Sequence, residues 1–400
     1  MKNILLVCTF FLSTQMLIAQ TPKIYINLAT HNEMLGESYD TNQNEFDSAV
    51  TVINQILNHM ISIDGRWNFQ TCSKFVLGAL NWDQAFTNPN DVLERMYTSG
   101  KVEIDSRNKT ESPQYNYNIS DVYHLLDSCG VTSTHTVGGF LAYPYANEDW
   151  TQFRNVKFGA VYHQPWQAEI IWGGGSPNHV QDLNDYGVWK PKDGDTSTNV
   201  YTHDPTANLW LVGNGCAPVI HDTTNNVQWI INAMRENIKR IHDGTWPSDK
   251  FYNLSVMINV RDFDTPGFFT KVKTVLDSID AYVANGDMEW AFITDKLTAF
   301  QNWSTINNIP YSQWSCEEAT AGEEDLDLSE ISIYPNPVLD ELFIGNLAQN
   351  TSFEIVNSVG KIVSAGDLEH GKINQIDMKS LMSGIYFVRI KNNTFKVLKD

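Results

Sequence analysis

The sequence predicts an α/β fold, a β/α barrel of about seven or eight strands, followed by a small all-β sandwich domain. Three observations carry that prediction. Between residues 23 and 316, short runs rich in β-branched and aromatic residues alternate with longer amphipathic stretches, as expected of parallel strands joined by helical crossovers. At 317–330 the composition changes to EEATAGEEDLDLSE, half acidic and without an aromatic residue, which reads as a solvated linker. The last seventy residues then show short alternating strands separated by Gly- and Asn-rich turns.

Taken in order, residues 1–19 begin with Lys2, continue through an apolar run at 4–12 and end at Ala19, the layout of a secretory signal peptide. No later stretch offers the roughly 18 apolar residues that a bilayer span needs, so the mature chain is expected to have no transmembrane segment. Residues 20–316 form the predicted barrel, with strands at 23–28, 67–72, 101–104, 134–140, 157–162, 209–215, 251–260 and 289–294. Helices are expected over 45–61, 120–128, 225–242 and 265–284. The first of these sets Phe46, Ala49, Val50, Ile53, Ile56, Leu57 and Met60 on one face, and the last starts after Pro266 and stops at Gly286. Residues 331–400 form the predicted sandwich.

A formal charge of −20 argues against nucleic acid and anionic membrane surfaces as partners. Once Cys8 leaves with the signal, Cys72, Cys129, Cys216 and Cys316 remain, an even number in a disulfide-permissive compartment, so one or two disulfides are expected with the pairing open. No Cys-x-x-Cys pair supports a zinc ribbon or a thioredoxin-like site. The glycine fingerprint of nucleotide-binding folds and the Gly-x-Ser-x-Gly elbow are also missing.

In a β/α barrel, chemistry sits at the carboxyl ends of the strands, which nominates candidates directly. The first strand runs into His31, Asn32 and Glu33, the third into Arg107 and Lys109, the fourth into Gly138 and Gly139, the fifth into His163, and later strands into Asn214, Asp262 and Asp295. His31 and Glu33, two positions apart, suit an acid/base pair or a metal ligand with a general base. Trp172 and Trp189, around a triple glycine with His179 nearby, suit stacking on sugar rings.

Two stretches carry family resemblances. The YPNP opening at 334–337, the Val359-Gly360-Lys361 turn and the SGIYFV strand at 383–388 resemble the type A sorting domain of the type IX secretion system. That resemblance implies export by Bacteroidota-type secretion machinery to the outer-membrane surface or the extracellular space. The strand-one His31-Asn32-Glu33, the Trp67-Asn68-Phe69-Gln70 strand, Gly138-Gly139 and the GVWKP segment resemble polysaccharide deacetylase-like barrels over about 23–312. What this second resemblance implies is a carbohydrate deacetylase or related hydrolase with a glycan substrate and a divalent metal held by two histidines and a carboxylate. This chain departs from it where Arg107 and Lys109 occupy the loop expected to supply the histidine pair. Cations there repel a metal or replace its charge, and can hold a carboxylate or uronic acid group of a substrate. The expected site is therefore Glu33 and His31 as catalytic residues, with Arg107, Lys109, His179, Trp172 and Trp189 on the substrate and no assigned metal. The alternative is a degenerate barrel that binds glycan without turning it over.

Overall fold

The computed structural model describes residues 22–32, 38–83, 91–107, 117–140, 150–173, 186–193, 197–215, 219–220, 227–314, 332–345, 350–357, 360–369, 372–390 and 393–399. The chain divides into two compact units, Met1–Gly322 and Glu323–Asp400.

Among the described residues the first unit has thirteen strands: β1 (Ile24–His31), β2 (Trp67–Thr71), β3 (Val102–Arg107), β4 (Thr136–Phe140), β5 (Lys157–Phe158), β6 (Pro165–Trp166), β7 (Ile170–Gly173), β8 (Tyr186–Trp189), β9 (Trp210–Gly213), β10 (Val219–Ile220), β11 (Tyr252–Asn259), β12 (Met288–Trp290) and β13 (Ser312–Trp314). Its helices are α1 (Gln43–Ser62), α2 (Ser73–Gly78), α3 (Val92–Thr98), α4 (Ile119–Ser128), α5 (Ser197–Val200), α6 (Val227–His242), α7 (Phe268–Ala284) and α8 (Ile293–Asn307). Ten strands follow one path, β10-β11-β1-β2-β3-β4-β7-β9-β8-β13, and β12 joins the side of β1. From β11 to β9 the pairing is parallel; β8 runs antiparallel to β9. The sheet curls until its ends meet again: Ser255 N donates to Asn214 O (3.0 Å), Gly187 N to Asn253 Oδ1 (2.5 Å), and Asn253 Nδ2 to Gly213 O. The strand count differs from seven or eight because the short β8, β10, β12 and β13 extend or patch the sheet.

Strand alternation explains the curl. On β1, Ile24, Ile26 and Leu28 join the core beneath the helices, and on β11 Tyr252, Leu254, Val256 and Ile258 do the same. Helix α1 packs Phe46, Ile53, Ile56, Leu57 and Met60 into that layer, each such side chain contributing about 1.5–3 kcal/mol by burial. Asn42 caps its first turn by accepting from Glu45 N. The opposite faces of the same strands carry Asn27, Ala29 and His31, or Asn253, Ser255, Met257 and Asn259, and line a lumen.

Two predicted strands are corrected. Residues 157–162 do not form a sheet strand: β5 pairs only with β6 in a separate hairpin, and the sheet position goes to β7. The stretch 289–294 turns after Trp290 into α8, whose Ile293, Lys296 and Phe300 are buried in the amino end of the lumen. Cys72 and Cys129 are buried thiols that are not joined to one another, and burial pushes the Cys129 thiol up to about 11. The expected disulfide is thus not formed between these two; Cys216 and Cys316 lie outside the described residues.

The second unit is all β. Strands β14 (Ser332–Tyr334), β15 (Glu341–Gly345) and β18 (Asn374–Asp377) form one antiparallel sheet; β16 (Thr351–Asn357), β17 (Ile362–Leu368), β19 (Gly384–Ile390) and β20 (Asn393–Lys399) form another. Leu342, Ile344, Ile355, Met378, Val388 and Val397 share one core between them.

Candidate functional site at the carboxyl rim of the curled sheet

The lumen is stratified. At its amino end Tyr25 stacks on Phe251 (4.9 Å between centroids), and Phe300 and Trp303 of α8 pack against the same ring. This floor is apolar and sealed by the helix.

One layer up, α8 docks through polar groups. Lys296 Nζ donates to Asn27 Oδ1 (2.5 Å), Leu254 O (2.7 Å) and Ser255 Oγ (3.2 Å), three acceptors for the three N–H bonds of an ammonium. Asn27 Nδ2 donates to Asn68 Oδ1 (3.0 Å), and Asn68 Nδ2 to both Glu103 Oε2 and Asp105 Oδ2 (2.9 Å each). Thr294 of α8 donates to Glu103, and Thr134 to Asp105. Burial, reinforced by the Asp105 charge, pushes the Glu103 carboxyl up to about 8. Burial raises Asp105 to about 6 against the pull of its Thr134 and Asn68 hydrogen bonds. Burial also drives Lys296 well below its ordinary value. Every one of these groups is satisfied within the protein, so the layer fastens α8 as a plug.

The carboxyl rim is different. His31 and Arg107 end β1 and β3, Gln70 is the last residue but one of β2, and all three are buried. The His31 ring meets the edge of the Trp172 indole, centroids 5.6 Å apart at 82°. Gly138 and Gly139 make room for two long side chains: a Cβ on Gly138 would lie 2.2 Å from Gln70 Cδ, and one on Gly139, at φ +69°, would lie 3.1 Å from Arg107 Nη1. Around this end, both amide atoms of Gln70 and of Asn32, Thr136 Oγ1, Trp172 Nε1 and Asn259 Oδ1 are buried without a hydrogen-bond partner among the described residues. Leaving such a group unmade costs about 1–3 kcal/mol, so the cluster is a candidate site for water or for the polar groups of a ligand.

Of the sequence-predicted residues, His31, Arg107 and Trp172 come together at this rim. Glu33, Lys109 and His179 lie outside the described residues. Trp189 is placed elsewhere: it is buried with Trp150 and Phe153 and its Nε1 donates to Val200 O (2.6 Å), so it is a core residue. His163 sits in the β5–β6 turn and Asp295 caps α8 through Phe292 N (3.1 Å). Sequence reasoning missed Gln70, Thr136 and Asn259; the signal was the period-2 alternation of the strands that carry them.

A divalent ion held by two histidines and a carboxylate does not fit the described residues. They contain no group of three His, Cys, Asp or Glu able to hold one.

The chain is 27% identical over 139 residues to "Ulvan lyase NLR42" of Nonlabens ulvanivorans, an alignment covering 32% of this chain and 26% of that one. The solved 4-alpha-glucanotransferase of Thermococcus litoralis superposes with a TM-score of 0.42 at 12% identity over 70% of this chain and 41% of the other. The chain thus spans about a quarter of the length of the curated relative it matches. No helix among the described residues is long and apolar enough to cross a membrane. Residues 332–400 match the family described as "Secretion system C-terminal sorting domain", and the chain carries the type IX signal that sends proteins of Bacteroidota to the cell surface or the extracellular space.

Proposed function

We propose that the exported unit is carbohydrate-directed and takes a sugar at the carboxyl rim of the curled sheet, where the unpartnered donors and acceptors of Gln70, Asn259, Thr136 and Trp172 supply partners for hydroxyl groups. That cluster is the observation that carries the reading. The curl of the sheet supports treating it as a β/α barrel whose mouth is this rim. In the catalytic form of the proposal the unit is a hydrolase. Glu33 takes a proton from water, the water oxygen attacks the scissile carbon, and His31 returns a proton to the leaving oxygen. Arg107 and Lys109 stabilise the developing negative charge. Hydrolysis of an acetyl ester would release acetate and a sugar hydroxyl. The similarity to a protein named for acting on ulvan supports including ulvan among the substrates tried.

The test uses the exported chain against neutral, acidic and acetylated polysaccharides, following reducing ends, released acetate and the ultraviolet absorbance of unsaturated uronate, with binding read by affinity electrophoresis. Turnover lost in Glu33→Gln with binding retained, and binding lost in Gln70→Ala, is the expected result. Binding without turnover in any assay favours the non-catalytic glycan-binding reading. Neither binding nor turnover on any polysaccharide overturns the proposal.

A further inference from the structure

Between β4 and β7 the chain lays the β5–β6 hairpin along α4. The hairpin tip is fastened with unusual completeness. Asp121 Oδ2 accepts from Ala160 N (2.8 Å) and Asn118 N (2.9 Å), and Asp121 Oδ1 from Val161 N (3.1 Å) and Tyr162 N (2.8 Å). Asn118 Nδ2 adds a bond to Phe158 O (2.9 Å). Gly159 is required, since a Cβ there would lie 2.3 Å from Asp121 Oδ1, and His163 closes the turn at φ +54°. Joining two strands of two residues does not call for this much order.

What the order presents is apolar and aromatic. Phe158 is 64% exposed, Val161 42% and Tyr162 37%, and Tyr162 stacks on Tyr117 with centroids 6.1 Å apart at 25°. Helix α4 runs back from the carboxyl end of β3 toward the start of β4, so its first turn, and the tip pinned to it, lie at the same end of the sheet as His31, Gln70 and Arg107. The nearby cation is engaged elsewhere: Lys157 Nζ donates to Gln152 Oε1 (2.8 Å) and sits over the Phe153 ring. A pre-ordered aromatic surface loses little entropy on binding, and rings edged by phenolic hydroxyls match a pyranose, which is apolar on its faces and polar at its rim.

We infer that Phe158, Tyr162 and Tyr117 form a second sugar-binding platform, which takes pyranose units of a polysaccharide chain beyond the unit held at the carboxyl rim. The inference rests on the reading that the rim binds sugar. A second copy of this chain is a poorer occupant, because the exposed side chains offer on the order of 300–400 Å² against the roughly 800 Å² per partner of a stable interface. The platform makes the protein a reader of polymers rather than of short fragments.

The test compares the exported chain with Phe158→Ser/Tyr162→Ser and with Gln70→Ala, by affinity electrophoresis in ulvan, alginate, xylan and chitosan, and by calorimetry with a disaccharide of the polymer that retards the wild type. Far-ultraviolet circular dichroism checks that each variant folds. The platform predicts that the double variant loses about tenfold in affinity for the polymer while its affinity for the disaccharide stays within twofold. Unchanged polymer affinity in the double variant overturns the platform and leaves the rim reading standing. Unchanged affinity in Gln70→Ala with a loss in the double variant overturns the rim reading instead. Retardation of the wild type by none of the polymers overturns both. A wild-type dimer that the double variant dissolves, read by light scattering, assigns the surface to a second copy and also overturns the platform.

Discussion

Replacing Asp121 by Ala separates local order from global stability, and the geometry sets both magnitudes. The carboxylate accepts four backbone N–H groups, those of Asn118, Ala160, Val161 and Tyr162. Hydrogen bonds to a charged group contribute about 1.5–3 kcal/mol each, but the tip amides lie near solvent and regain water, so the summed loss at the tip is about 3 kcal/mol. Each 1.4 kcal/mol is tenfold, so amide hydrogen exchange at Ala160, Val161 and Tyr162 should quicken by about a hundredfold. The helix pays less. Losing the Asp121 half of the capping box on α4 costs about 1 kcal/mol, and the unfolding free energy should fall by that much, read as a lower denaturant midpoint with an unchanged slope. Exchange at the three amides within threefold of wild type would refute the claim that Asp121 holds the tip. Tip and global protection falling in step would refute its independence from the rest of the fold.

Three further outcomes follow from the lumen and the core. Glu103, held near 8, and Asp105, near 6, bind their protons more tightly folded than unfolded, so the stability they contribute is complete below the ordinary carboxylate range and is lost as pH rises toward 8; Lys296, pushed down, opposes this above its own folded value. Glu103→Gln should therefore match wild type in melting temperature near pH 4 and exceed it near pH 8, and a variant that is less stable at pH 8 would show that the ionised form is the one the fold wants. Gly138→Ala drives a Cβ to 2.2 Å from Gln70 Cδ and should cost about 1–3 kcal/mol by overpacking, with most of that cost absent in a Gln70→Ala background; additive losses in urea unfolding would mean that the two side chains do not compete for that space. Finally, Cys129, buried and raised to about 11, should resist a thiol reagent until the protein is denatured, and peptide mapping should recover no Cys72–Cys129 linkage.

Helix α1 and the outer faces of β1, β2 and β11 were legible because burial imposes a simple period: a helix with Phe46, Ile53, Leu57 and Met60 on one stripe has only one way to face a sheet. The failures share a cause. The run at 157–162 alternates as a strand should, yet Phe158 and Val161 point to solvent and the order comes from Asp121, almost forty residues earlier, through hydrogen bonds that leave no mark on hydropathy. The start of α8 resembles a strand in the sequence because Trp290, Ala291, Phe292 and Ile293 are apolar in succession, whereas Asp295 reaching back to Phe292 N is the signal that a helix begins there.

The rim shows how far alternation alone can go. A parallel sheet with helices on one face and a packed interior on the other should read as continuous apolar runs. Here polar residues interrupt one parity of the strands: Asn27 and His31 on β1, either side of Ala29; Asn68 and Gln70 on β2; Glu103, Asp105 and Arg107 on β3; and Asn253, Ser255 and Asn259 on β11, with Met257 between the last two. The sequence therefore announces a polar lumen, and strand ends alone were too narrow a place to look for it. Parity cannot say which of those residues has work left over, because the partners of the middle layer arrive from far along the chain. Thr294 reaches Glu103 across 191 positions and Lys296 reaches Asn27 across 269. Once α8 has saturated that layer, the same kind of residue nearer the rim, Gln70 one alternation step beyond Asn68 and Asn259 two steps beyond Ser255, is left with side-chain atoms that have no hydrogen-bond partner among the described residues. Structural and ligand-binding amides are thus alike in the sequence and are told apart by the reach of one helix.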